Sequence, residues 1–200
     1  MPARQRAEPL APELRRRAIV EAIIPLILEH GGAVTTAQMA EASGVAEGTI
    51  FKVFSDKSAL LHEALRTCFD PAPVMEQLAA VERELPFEIK LRKAAAIVLK
   101  RAERVHALAA VLRSLPPAQH TDNREIHKKA IEANSLIFWG LTRMFRDESD
   151  GLAVEPARAA AAFRGLLHAV SFPLSDPKEL ITADEAIYVL LHGVVAREAG

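Results

Sequence analysis

The stretch Thr35–Leu61, TTAQMAEASGVAEGTIFKVFSDKSALL, decides the fold. It sets two short apolar patterns on either side of a Ser43-Gly44-Val45 turn and then runs into Phe54-Ser55-Asp56-Lys57. Thr35 and Thr36 are N-cap candidates for a helix over Ala37–Ala42. Ser43-Gly44 stops that helix, because glycine accepts a positive φ at no steric cost. The spacing predicts a second helix over Ala46–Val53. Ser55 or Asp56 then caps a third, running through Leu60, Leu61, Ala64 and Leu65. Two short helices joined by a tight glycine-containing turn form a helix-turn-helix. Such a second helix is short and protruding when it must enter a groove about 12 Å wide. Met39, Ala40, Val45, Ile50 and Phe54 supply the apolar positions that lock the pair onto a preceding helix.

The residues left facing outward carry the chemistry. Thr35 and Thr36 offer hydroxyls and helix N-terminal amides, which suit a phosphate. Glu47, Gly48 and Thr49 open the second helix, where base edges are read. Lys52 and Lys57 add charge at its flanks. Phe51 lies between them.

Outward from this stretch, the chain reads as helix throughout. Half of its 200 residues are hydrophobic, about a quarter are charged, and no β-branched run alternates with polar residues. Met1–Pro12, charged and with three prolines, is expected to be a mobile arm. Glu13–His30 is expected to be a helix closed by Gly31-Gly32, with a kink at Pro25. Asp70-Pro71-Ala72-Pro73 marks a boundary between a domain over 13–70 and a larger one over 71–200. Beyond it, helices are expected over Val74–Glu84, Phe87–Leu115 with a candidate break near Val105, Asn123–Arg146, Pro156–Ser171 and Ala183–Arg197. The fold class is all-α: a three-helix head on a larger helical bundle, about nine or ten helices in all.

Charge and composition narrow the function. The formal net charge is −1, so a nucleic-acid role has to rest on local placement. From Met1 to Arg66, Arg4, Arg6, Arg15, Arg16, Arg17, Lys52, Lys57 and Arg66 balance an equal set of carboxylates. The Arg15–Arg17 run reads either as a solvated face or as a source of phosphate contacts. Cys68 alone makes no internal disulfide and no cysteine-based zinc site, and reads as a packing residue. No secretory pattern or membrane-length apolar run occurs, so the expected location is the cytoplasm.

Residues Arg17–Leu65 resemble the DNA-binding domain of the tetracycline-repressor (TetR) family of transcriptional regulators. The resemblance is carried by His30-Gly31 closing the first helix, by TTAQMAEASGVAEGTIFKVF and by FSDKSALL directly after it. It implies a homodimer on a near-palindromic operator, repression, and a small effector in the larger domain that moves the reading heads apart. No enzymatic activity and no cofactor are expected. Thr36 resembles the family's phosphate-contacting cap, Glu47, Gly48 and Thr49 occupy its base-reading positions, and Lys57 matches the lysine of its third helix. The chain departs from the pattern at Pro25, at Phe51 where a tyrosine is usual, and at Glu47, which brings an anion to the groove and can only accept, for example from cytosine N4.

In the larger domain, Ile131, Asn134, Phe138, Leu141 and Phe145 read as one stripe with a polar member. A cavity for a small hydrophobic effector is expected between this helix and the one before it, with His106, Asn134 and Phe138 as its candidate contacts. For His106 and Asn134 a structural role is the competing reading, and Trp139 reads as core or interface. Phe163 and Leu167 on one terminal helix and Leu190 and Val194 on the next are the candidate dimer interface, against completion of the monomer core. The alternative function is a helical enzyme or metal-carboxylate bundle with an incidental helix-turn-helix. Glu103 and His106 have the Glu-x-x-His spacing for it, but no second copy occurs, so no metal site is expected.

Overall fold

The computed structural model describes residues 11–114, 123–171 and 181–193. Among them the chain forms nine α-helices and no strand: α1 (Pro12–His30), α2 (Thr36–Ala42), α3 (Glu47–Val53), α4 (Lys57–Cys68), α5 (Ala72–Ala79), α6 (Phe87–Ser114), α7 (Asn123–Arg146), α8 (Pro156–Ser171) and α9 (Ala183–His192). They fall into two compact units. Of the described residues, one comprises 11–67 with 107–114, the other 68–106 with 123–171 and 181–193.

In the first unit, α1 buries Ile19, Val20, Ile23, Ile24 and Ile27. Pro25 falls on the exposed side of α1, and the helix runs through it to His30. Proline removes one backbone donor, and at a solvent-facing position water can satisfy the carbonyl left over. Met39, Ala40, Ile50 and Phe54 are buried and Val45 is half-buried, as the apolar pattern required.

In the second unit, Val74, Leu78, Leu91, Ala94, Ile137, Leu141, Phe145, Ala160, Phe163, Leu167 and Ile187 form one core. Phe145 links it edge-on, with its ring centroid 5.3 Å from that of Phe87 and 5.9 Å from that of Phe163. Lys90, buried on α6, donates to Glu148 just beyond α7. Gly140 lets α5 approach α7: a Cβ there would come within 3.0 Å of Met75. α6 is continuous through Val105 to Ser114, without the candidate break. α5 begins at Ala72 and ends at Ala79, short of Glu84. Its closing bonds, Ala80 N to Glu76 O at 3.0 Å and Val81 N to Leu78 O at 3.3 Å, involve no glycine or proline that the sequence would flag.

This core overturns one expectation. Phe163 is 0% and Leu167 2% exposed within a single chain, so neither side chain has surface left to bury against a partner. They complete the body's own core. Leu190 is half-buried against the same cluster, and Val194 lies outside the described residues.

Candidate nucleic-acid interface

α2 starts at a capping box. The Thr35 hydroxyl accepts from Gln38 N at 3.2 Å, and the Gln38 side chain accepts from Thr35 N at 2.8 Å. Thr35 is therefore the cap and Thr36 the first helical residue, so the Thr35 hydroxyl is already committed within the chain. α2 ends in a Schellman turn. Gly44 has φ +64°, with Gly44 N bonded to Glu41 O and Val45 N to Ala40 O, both at 3.0 Å. The positive φ that sequence reasoning assigned to Gly44 is what turns the chain into α3.

α3 presents its first turn to solvent. Glu47 and Gly48 are exposed and Thr49 is half-buried, while Ile50, one residue on, is buried and anchors the helix. A Cβ on Gly48 would meet nothing within 4 Å. Phe51 is 46% exposed and Lys52 is exposed. The exposed side of α3 thus carries Glu47, Gly48, Phe51 and Lys52, with Thr49 half-buried at its edge. The Thr36 hydroxyl donates to the Glu47 carboxylate, joining the start of α2 to the start of α3. Neither of these two side chains is idle, and a phosphate approaching Thr36 meets a carboxylate beside it.

Two cations brace this surface from behind. Arg16 donates from Nη1 to the carbonyl of Val53, the last residue of α3, at 3.1 Å. Its guanidinium also lies 4.4 Å from the centroid of the Phe54 ring and 3.4 Å from Glu63 on α4. Arg16 thereby satisfies a carbonyl that α3 cannot bond internally, and ties α3 to α1 and α4. Within the Arg15–Arg17 run it is thus a strut, whereas Arg17 pairs on the exposed side with Glu21 at 2.8 Å. Sequence reasoning did not separate Arg16 from its neighbours. The available signal was its place on the buried side of α1, three residues before Ile19. Lys57 is half-buried and its ammonium donates to the Val34 carbonyl. It pins the segment entering α2, and any phosphate contact has to use its remaining donors.

Asp56, not Ser55, caps α4. Its carboxylate accepts from Ala59 N at 2.7 Å, and Ser55 donates to it at 3.1 Å. The Ala59 bond is the main reason its pKa lies below the ordinary 3.8, with a smaller opposing effect of desolvation.

The candidate effector contacts do not form one site. Asn134 is exposed, not buried in a stripe, because α7 turns Ala133, Ile137, Leu141 and Phe145 to the core and leaves Ile131 and Asn134 outside it. Asn134 accepts from Arg101 Nη1 at 3.1 Å. Phe138 is half-buried, with the Arg164 guanidinium 4.9 Å from its ring. His106 lines a separate open groove with Leu99, Lys100, Glu103 and Val170. Trp139 is 58% exposed, which removes it from the core. Among the described residues, no three or more His, Cys, Asp or Glu side chains are placed to share a metal ion, and no helix is long and apolar enough to cross a membrane.

Residues 19–64 match the family described as bacterial regulatory proteins, tetR family. The chain is similar to that family over this stretch, about a quarter of its length. It is a DNA-binding transcriptional regulator, and the reading as a helical enzyme or metal-carboxylate bundle protein is not favoured. Solved structures share the fold at low identity. A TetR-family regulator from Mesorhizobium loti is 17% identical, with 92% of this chain and 98% of that one covered, at a TM-score of 0.57. The fatty acid degradation regulator FadR from Bacillus halodurans is 20% identical, covering 95% and 100%, at 0.59. LfrR from Mycobacterium smegmatis, solved in complex with proflavine, is 18% identical, covering 92% and 98%, at 0.57. A comparison with curated proteins finds no match.

Proposed function

We propose that this chain is a cytoplasmic repressor that binds a near-palindromic operator as a homodimer and leaves it when a small effector binds. Residues 13–70 are the reading head and 71–200 the sensing and dimerisation body. The observation that carries the reading is the solvent-facing first turn of α3, held rigid by Arg16 and by the Gly44 turn while its outer side chains stay exposed. A helix so presented can place Gly48 and Thr49 against base edges, with Glu47 beside the phosphates that Lys52, Thr36 and the free donors of Lys57 approach. Thr35 contributes through its position at the helix N-terminus, and Phe51 through apolar contact.

The body has an apolar core of its own and open grooves at its surface, one of them lined by Met75, Leu78, Lys90, Leu136 and Trp139. The structural relative LfrR is named in complex with proflavine, which supports an organic effector here. Since Phe163 and Leu167 face inward, the dimer forms through the outward faces of α8 and α9, where Tyr188 is 64% exposed, with Leu190 at the edge. The test is selection of bound fragments from sheared genomic DNA, followed by gel shift and sedimentation. The reading requires an enriched sequence with two related half-sites, bound by two chains. Equal retention of all fragments, or a bound monomer, refutes it.

A further inference from the structure

Arg101 sits on α6 in the second unit, and its guanidinium is only partly accommodated. Nη1 donates to Asn134 Oδ1 at 3.1 Å, and the guanidinium carbon lies 5.6 Å from the centroid of the Phe69 ring. Nε and Nη2 are shielded from solvent, and no acceptor among the described residues is within hydrogen-bond reach of either. Burial pulls the Arg101 pKa below its ordinary value, an effect partly offset by Cys68. Burial pushes the Cys68 thiol up, so it stays a neutral neighbour at pH 7 and supplies no counter-charge. Arg101 is half-buried as a residue, but two shielded donors left unmet are costly.

The two unmet donors are not an arbitrary pair. Nε–H and Nη2–H lie along one edge of the planar guanidinium and point nearly parallel, the arrangement that matches both oxygens of a carboxylate. Asn134 fixes the opposite side of the fork, and Phe69 fixes its plane. We propose that the Nε–Nη2 edge of Arg101 is the recognition site for the carboxylate of an organic monocarboxylate effector. The site takes one negative charge, because it offers one cation and one free edge; a phosphate dianion would remain half-neutralised. Phe69 gives the ligand's carbon skeleton an apolar neighbour. Solvent does not reach either donor, so entry requires neighbouring side chains to move. Phe69 is the residue that follows α4 in the chain. The inference rests on the regulator reading and names the chemical class of its effector.

The experiment is a thermal-shift titration of the purified full chain without DNA. The probes are octanoate and benzoate, their neutral partners octanamide and benzamide, and inorganic phosphate. The wild type is expected to bind at least one carboxylate about tenfold or more tightly than the matching amide, as a charge-assisted bidentate pair provides. Arg101→Met should bring that carboxylate down to the level of its amide. Arg101→Lys should lose most of the preference, because an ammonium keeps the charge and lacks the fork. Without ligand, Arg101→Met should melt at or above the wild-type temperature, since it removes two shielded donors that have no acceptor. The proposal is overturned if neither carboxylate outbinds its amide, if phosphate binds as tightly as both, or if the preference survives in Arg101→Met. It is equally overturned if Arg101→Met melts several degrees lower, for then the guanidinium is a structural strut. Operator binding in a gel shift is read separately, so a failure here leaves the regulator reading standing.

Discussion

Replacing Glu47 with glutamine should tighten DNA binding. The carboxylate sits on the exposed first turn of α3 and is joined to the hydroxyl of Thr36. Against a phosphate about 7 Å away in water, one unit charge costs about 0.6 kcal/mol, or about threefold in affinity. Glutamine keeps an acceptor oxygen for the Thr36 hydroxyl, so that bond adds nothing to the difference. The lost charge places Glu47→Gln about threefold tighter at low salt, with the gain shrinking as salt screens the charge. Glutamine preserves length and helix propensity, so folding should be unaffected. The assay is a fluorescence-anisotropy titration of the selected operator and of a scrambled duplex at two salt concentrations. A similar gain on both duplexes supports the reading. A loss confined to the operator refutes it, and would show that Glu47 reads a base directly, as by accepting from cytosine N4.

Arg16→Met should destabilise the chain by about 1–2 kcal/mol, through the lost Val53 bond and the lost contact with Phe54. Urea unfolding measures it, and a change within error would mean that Arg16 is not a strut. Asp56→Ala should cost about 1 kcal/mol at pH 7 as a lost helix cap. Because the folded pKa of Asp56 is lowered, this contribution is present above 3.8 and fades as the pH falls through the folded value. The melting difference between wild type and variant should therefore narrow below pH 3.8, and a constant difference would contradict the cap. Phe163→Ala should cost about 3–5 kcal/mol by leaving a cavity in the body's core. A loss below about 1 kcal/mol, with the dimer dissociating instead, would return Phe163 to the interface.

Local chemistry was enough to determine the helix-turn-helix from sequence. Thr35, Gly44 and Asp56 each act through bonds to residues no more than four positions away, so cap, turn and cap could be read in order. The same holds for the long helices of the body, whose ends fall at Pro86 and Pro156. Direction was a different matter. Period alone shows that Phe163 and Leu167 share a face of α8, but not whether that face meets α7 or a second chain, since both would bury the same side chains. Asn134 shows the limit at closer range. It stands one position from the buried Ala133, and a rotation of about 100° per residue separates core from solvent. Arg16 and Arg101 acquire their meaning from carbonyls, rings and amides more than 30 residues away in sequence. An arginine's long side chain commits to no partner until packing brings one within reach. That is why the helices and turns were legible in the chain, while the brace behind the reading helix and the unmet edge of Arg101 were decided only by the tertiary structure.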